Sequence, residues 1–112
     1  VGNPDIAAPR ESGPSREPGY WAHRLADRTG VAPVFHGKPY LGIYDLVAQH
    51  LGRPLDRRVV MVGDSLHTDV LGGQVAGVAT ALITSHGLLR DADPDAAICD
   101  SGIRPDHILA TT

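Results

Sequence analysis

The 112-residue sequence contains one cysteine and one lysine, and each scarcity limits what the chain can do. Because Cys99 is the only cysteine, no intrachain disulfide can form, which favours a reducing compartment. We expect Cys99 to be a small buried residue. Lys38 is the only lysine and the formal net charge is −3. The sequence therefore predicts neither a nucleic-acid groove nor an anionic membrane surface.

Long apolar runs are also missing. No stretch approaches the roughly 20 residues of a membrane span, and no signal peptide is visible, so we expect a cytoplasmic protein. Hydrophobic residues make up 42% of the chain, enough for the core of one domain. The chain begins at Val1 without an initiator methionine and ends abruptly at Thr112. These ends predict a piece of a longer protein.

The most informative stretch is the apolar run 59–62, which leads directly into Gly63 and Asp64. A continuous apolar run bounded by turn residues is typical of a strand buried in a parallel sheet. Thr68 is predicted to cap a helix that begins near Asp69 and ends at Gly77. Since ligands of open α/β sheets bind at the carboxyl ends of the strands, Asp64 and Asp69 are candidates for half of a hard-cation site.

The rest of the chain alternates between helical and strand patterns. Strands separated by helices predict right-handed β-α-β units, hence an α/β fold with a parallel sheet. Trp21 and Tyr44 are expected in the core, and the glycines at 72–73 predict close packing against the sheet. The predicted elements are a loop over 8–19, helices over 20–29, 39–51, 69–76 and 94–99, and strands over 31–36, 58–62, 79–84 and 107–110.

Polar residues follow three successive predicted strands: Lys38, then Asp64, then the pair Ser85 and His86. We expect them at one edge of the sheet. Carboxylates bind Mg²⁺ together with substrate oxygens, and a fixed lysine stabilises negative charge on a phosphoryl group. The pattern favours phosphoryl transfer. The simpler alternatives are a solvated Lys38 and an Asp69 that only complements a helix dipole.

Three motifs carry a family resemblance: Asn3-Pro4-Asp5, Gly37-Lys38-Pro39 and the string GDSLHTD at 63–69. Together they resemble the C-terminal half of a haloacid dehalogenase (HAD)-superfamily phosphatase of class IIA. That branch includes sugar-phosphate, phosphoglycolate and pyridoxal-phosphate phosphatases. The resemblance implies a partial Rossmann-like three-layer sandwich with a mostly parallel sheet. Residues 1–18 would end the cap and connect it to the core, and residues 19–112 would form the C-terminal part of the core.

The resemblance also implies roles for individual residues. Lys38 would hold the phosphate, Asp64 would bind Mg²⁺, and Asp69 would support the metal site directly or through another ligand. Asp5 would lie near the cap–core junction and touch the substrate, and Ser65 would donate a hydrogen bond beside the metal. The implied substrate is a small phosphorylated metabolite. An incomplete sheet edge would favour association, so a homo-oligomer is an open expectation.

One departure from the family pattern concerns the nucleophile, an aspartate in a D-x-D-G motif after the first buried strand. Asp91 and Asp93 have the spacing, but no apolar strand precedes them and no glycine follows. We therefore expect these 112 residues alone to hydrolyse no phosphate ester.

Parts of the sequence suggest two other functions. Residues 63–66 spell the nucleophile block of the GDSL esterases, with Ser65 as the attacking group. That family needs a later G-x-N-D and a late D-x-x-H, but the only asparagine is Asn3 and the only D-x-x-H lies within 64–67. The esterase reading is therefore rejected. A non-catalytic α/β module or inactive fragment remains open.

Overall fold

The computed structural model describes every residue except Pro9 and Glu11. None of the helices in that described part is long and apolar enough to cross a membrane. The elements in chain order are β1 (Ala7–Ala8), β2 (Ser15–Arg16), α1 (Pro18–Thr29), α2 (Gly42–Leu51), β3 (Val60–Gly63), a π-turn (Leu66–Val70), α3 (Leu71–Val75), β4 (Ala79–Ile83), a 3₁₀ turn (Gly87–Leu89), α4 (Pro94–Ser101) and β5 (His107–Leu109).

The sheet has three parallel strands in the order β3-β4-β5. Val60 pairs with Ala79 at the start of the first ladder, and Ala81 pairs with His107 in the second. Helical segments connect the strands, as the parallel arrangement requires. The predicted α/β class is therefore confirmed. β1 and β2 form a separate two-residue antiparallel hairpin near the chain start.

All five residues of β4 are buried, and the π-turn, the 3₁₀ turn and α4 pack around fully buried Leu82. The residues of this hydrophobic cluster are Leu66, Val70, Leu82, Leu89 and Ile98. A methyl group at Gly73 would lie 2.7 Å from Thr80 Cγ2 and 2.9 Å from Met61 Cβ. The helix therefore approaches the sheet as closely as the paired glycines predicted.

Within the described residues β3 and β5 are both edge strands of the sheet, because each pairs with β4 alone. Val60 and Val62 lie on the same face of β3 and are each about half exposed. The unpaired backbone groups of β3 favour pairing with another chain segment.

The predicted strand over 31–36 is wrong. This segment joins no sheet and instead pairs with the chain start: the Val1 ammonium donates to the Val34 carbonyl (2.7 Å), and the His36 amide donates to the Val1 carbonyl (2.9 Å). Pro33 has no N–H to offer a ladder. α2 also begins later than predicted, at Gly42, because residues 37–40 form a turn closed by the Tyr40 amide on the Gly37 carbonyl (3.0 Å).

The helix after β3 begins earlier than predicted, with Ser65 rather than Thr68 preceding its first turn. That turn is a π-turn, in which the Ser65 carbonyl accepts from the amides of Asp69 (3.0 Å) and Val70 (3.1 Å). Thr68 lies inside it. The prediction of Thr68 as a cap is therefore wrong, whereas a left-handed Gly77 does follow the helix.

Two other predicted helices are confirmed, and one predicted loop is partly structured. The helices predicted over 20–29 and 94–99 are present and end at the left-handed glycines Gly30 and Gly102. The predicted loop over 8–19 contains β2 and the start of α1, and its Pro9 and Glu11 lie outside the described residues.

Among the expected core residues, Tyr44 is buried but Trp21 is 56% exposed. Trp21 packs edge-on against Tyr20, with ring centroids 5.1 Å apart. Cys99 is exposed rather than buried, because its neighbour Ile98 takes the core-facing position on α4.

Asp106 lies just before β5 and links it to Thr80 of β4 and to Arg57, which lies just before β3. Its carboxylate accepts from the Thr80 amide (2.8 Å) and hydroxyl (3.0 Å) and pairs with Arg57. The hydrogen bond from Arg57, followed by those from Thr80, lowers the pKa of Asp106 from 3.8 to about 2. The ionised carboxylate therefore holds β5 beside β4.

This pKa predicts an acid-sensitive contribution to stability. A depressed carboxyl pKa stabilises the fold above the unfolded value near 3.8, and the contribution is lost as the pH falls through about 2. Asp106→Asn should unfold more readily than the parent at neutral pH, and the difference should shrink on acidification. Urea unfolding followed by circular dichroism from neutral pH to about pH 2 measures this. Asp27→Asn on exposed α1 is the matched control, and a constant difference for Asp106→Asn would contradict the assignment.

Candidate active site

The Asp69 carboxylate is the centre of the polar residues at the carboxyl end of β3. Its side chain is only 5% exposed. Oδ2 accepts from the backbone amides of Asp64 (3.0 Å) and Ser65 (3.1 Å), while Oδ1 pairs with Lys38 Nζ. The π-turn brings this carboxylate back over the strand end. Both of its oxygens are therefore occupied by protein donors.

The strand end can approach Asp69 this closely only because residue 63 is glycine. A Cβ at Gly63 would overlap the Asp69 carboxyl group. The peptide groups that follow then direct two N–H groups at one oxygen of the Asp69 carboxylate. Gly63 was expected only to turn the chain, and its role in admitting Asp69 was missed.

Asp64 is more available than Asp69. It is partly buried, and its Oδ1 accepts from the Ser65 hydroxyl at 3.0 Å. On its other side the backbone of Gly87 lies so close that a Cβ there would overlap Oδ2. Gly87 has a φ of +68°, which glycine adopts without a steric penalty. The loop after β4 therefore restricts the position of the Asp64 carboxylate on the side of Gly87.

Lys38 reaches Asp69 from the turn before α2. Its side chain is 44% exposed, so it pairs with Asp69 while keeping contact with solvent. Gly37 allows this turn to pack on the chain start, since a Cβ there would overlap the Gly2 carbonyl. Lys38 therefore reaches the predicted sheet edge although the strand predicted to precede it does not form.

All five candidate residues line one cavity of about 360 Å³. Asp5 is held there by a tight turn in which its amide donates to Asn3 Oδ1 (2.7 Å). Thr68 also lines the cavity and was not among the predicted site residues. The candidates are Asp5, Lys38, Asp64, Ser65 and Asp69.

Of the pair expected after β4, only His86 reaches the site. It lines an opening at the sheet edge together with Lys38, Asp64 and Asp69. The Ser85 hydroxyl instead donates to the Ala110 carbonyl. The expectation that this hydroxyl joins the site is therefore wrong, because continued β4–β5 pairing holds Ser85 toward the neighbouring strand.

The charges in the cavity suit a divalent cation. Three carboxylates face one lysine, so a phosphate entering alone would meet excess negative charge. No three His, Cys, Asp or Glu side chains converge as a closed metal cluster in the described part of the chain. In proteins Mg²⁺ is usually held by one or two carboxylates and completed by water and substrate oxygens. Asp64 fits as a direct ligand, whereas both oxygens of Asp69 already have partners.

Family and structural comparisons give a consistent assignment. The family model described as HAD-hydrolase-like matches residues 35–111. The chain belongs to this HAD family. The resemblance carried by the GKP and GDSLHTD motifs is therefore confirmed.

Relatives of the HAD chain are phosphatases. A dihydroxyacetone phosphatase of Corynebacterium glutamicum is 33% identical over 107 residues, which cover 96% of this chain and 37% of that protein. The 5'-nucleotidase YutF of Bacillus subtilis is 40% identical over 81 residues, covering 72% and 31% respectively. The solved p-nitrophenyl phosphatase from Archaeoglobus fulgidus superposes with a TM-score of 0.85 at 33% identity, covering 97% of this chain and 41% of that one. The HAD chain thus spans about a third to two fifths of the length of these relatives.

Neutralising Asp69 and neutralising Asp64 should change the free energy of unfolding by different amounts. Asp69→Asn removes the charge that pairs with Lys38 and faces two amides, so it should lower the free energy of unfolding by about 2 kcal/mol. Asp64→Asn, at a partly exposed group, should change it by less than about 0.5 kcal/mol. Urea unfolding without added metal compares them. Equal losses would contradict the central position given to Asp69.

Tyr44 supplies a second test within the HAD chain. Its hydroxyl is buried and has no hydrogen-bond partner among the residues that the structure describes. Burial, followed by the charge of Asp69, raises the pKa of Tyr44. Removing an unsatisfied hydroxyl in Tyr44→Phe should raise the free energy of unfolding by about 1 kcal/mol.

The matched change is at Gly72, where a methyl group would lie 2.7 Å from the Tyr44 hydroxyl. Gly72→Ala should therefore destabilise by about 1–3 kcal/mol, and Tyr44→Phe should recover part of that loss in the double variant. A Tyr44→Phe variant less stable than the parent would show that the hydroxyl has a partner in solution.

Proposed function

We propose that this chain is the metal- and phosphate-binding part of a Mg²⁺-dependent phosphate monoester hydrolase of the HAD class IIA type. One observation supports the proposal most directly: the Asp69 carboxylate pairs with Lys38 and also accepts hydrogen bonds from the amides of Asp64 and Ser65. It places an ammonium group and an available carboxylate around one cavity. The substrate is a small phosphorylated metabolite, and the protein acts in the cytoplasm.

Each residue has a distinct part in the proposal. Lys38 binds a phosphate oxygen while Asp69 fixes the orientation of its ammonium group. Asp64 holds Mg²⁺, which would neutralise phosphate charge and polarise the phosphoryl group. Ser65 orients Asp64 through its hydroxyl (3.0 Å) and offers that oxygen to the substrate. Asp5 lines the same cavity, where it contacts the substrate.

Hydrolysis needs one more group than these residues provide. No D-x-D-G segment occurs in the sequence, so the attacking carboxylate belongs to polypeptide outside the 112 residues. The chain by itself then binds ligands without turnover. The alternative, a non-catalytic α/β module, differs in one respect: it would bind neither Mg²⁺ nor phosphate at this edge.

Ligand titration separates these two functions. Amide resonances of residues 63–69 in the ¹⁵N-labelled chain should shift on addition of MgCl₂, and inorganic phosphate should then bind in a Mg²⁺-dependent manner. Asp64→Asn should abolish the Mg²⁺ response because it removes the available ligand carboxylate. Lys38→Met should weaken phosphate binding at least tenfold, the effect of losing about 1.4 kcal/mol from one charged contact.

The control is Asp27→Asn, which should bind like the parent. Unchanged Mg²⁺ binding in Asp64→Asn would contradict the assigned ligand, and the absence of any binding by the parent would favour the non-catalytic module. Turnover of p-nitrophenyl phosphate by the 112-residue chain would show that no outside carboxylate is needed.

A further inference from the structure

His86 lines an opening of about 380 Å³ at the same edge of the sheet as the candidate site. The cavity that contains the five candidate residues is here called the phosphate cavity. Lys38, Asp64 and Asp69 line both the opening and the phosphate cavity. A phosphate bound to the Lys38 ammonium is therefore accessible from the opening that His86 lines.

The backbone on both sides of His86 is held in place. The Ser85 amide donates to the Ala110 carbonyl at 3.0 Å, which ties the residue before His86 to the chain after β5. Gly87 packs so closely on the Asp64 carboxyl group that a Cβ there would overlap it. The exposed side chain of His86 therefore extends from a defined position beside Asp64.

The charges of the site leave room for a second donor to phosphate. Among the described residues that line the opening and the phosphate cavity, Lys38 and His86 carry the only basic side chains. The Lys38 ammonium already shares its charge with the Asp69 carboxylate. A phosphate monoester has roughly two negative charges and three strong acceptor oxygens. With Mg²⁺ on one oxygen and Lys38 on a second, the third oxygen still needs a donor.

The His86 side chain suits this phosphate oxygen better than it suits the metal. In the described part of the chain, His86 does not complete a metal cluster with Asp64 and Asp69. Mg²⁺ also prefers oxygen ligands to nitrogen. An imidazole, by contrast, has a ring N–H to donate whether it is neutral or protonated, and a hydrogen bond to an anionic oxygen is stronger than one between neutral groups.

We propose that His86 is a second phosphate-binding residue, whose ring N–H donates to a phosphate oxygen other than the one that Lys38 binds. The inference rests on the proposed function, since Lys38 and the Mg²⁺ held by Asp64 determine where the phosphate lies. The loop after β4 then contacts the site twice: the Gly87 backbone packs on Asp64, and the His86 side chain binds the phosphate.

The test measures Mg²⁺ binding and phosphate binding separately in the ¹⁵N-labelled chain. MgCl₂ is titrated first, and inorganic phosphate is then titrated at saturating MgCl₂. His86→Ala should bind Mg²⁺ like the parent but inorganic phosphate about tenfold more weakly, the effect of losing one hydrogen bond to a charged group. In the parent, the ring-nitrogen signals of His86 should shift when phosphate is added.

His67→Ala is the matched control, because His67 is also exposed and lies in the turn after β3 but lines neither the opening nor the phosphate cavity. It should bind both ligands like the parent. Unchanged phosphate affinity in His86→Ala, parallel losses of Mg²⁺ and phosphate affinity, or ring signals that do not shift would overturn the role of His86, while Mg²⁺-dependent phosphate binding by the parent kept the proposed function. Failure of the parent to bind inorganic phosphate would overturn both.

Discussion

The Asp69 carboxylate is the interaction on which the candidate site depends. One oxygen holds the Lys38 ammonium from a turn 31 residues earlier in the chain, and the other holds two consecutive amides after β3. The π-turn and Gly63 are the structural conditions for this arrangement, because one brings the carboxylate over the strand end and the other leaves space for it. Local helix geometry and long-range ion pairing therefore meet in a single side chain.

A division of labour between the two carboxylates follows from this constraint. Asp69 is buried and fully paired, which makes it suited to positioning, whereas Asp64 keeps coordinating capacity beside a cavity that also contains Asp5. β3 carries the GD motif, and within the described residues it pairs with β4 alone, with Val60 and Val62 each about half exposed. The HAD relatives, of which this chain covers about two fifths, place these features in a longer polypeptide.

The sequence predicted the features that depend on local pattern. The apolar run before Asp64, the end of α1 at Gly30 and the family motifs have signals within a few residues of the element they specify. Features that depend on distant contacts were not predictable in this way. The segment 31–36 reads as a strand, but its partner is Val1, and Thr68 reads as a cap because no local pattern reveals that Asp69 must turn back toward Lys38. The cavity shared by Asp5 and Thr68 likewise exists only after folding.

The most direct measurement of the central claim is native-state hydrogen exchange at the amides of Asp64 and Ser65, followed by NMR in the parent chain and in Asp69→Ala. Both amides follow the last residue of β3, so in an open loop they would exchange rapidly. Since both donate to Asp69, they should be protected in the parent to a degree similar to the β3 amides, and the protection should disappear in Asp69→Ala while β4 stays protected. Rapid exchange of these two amides in the parent would contradict the account.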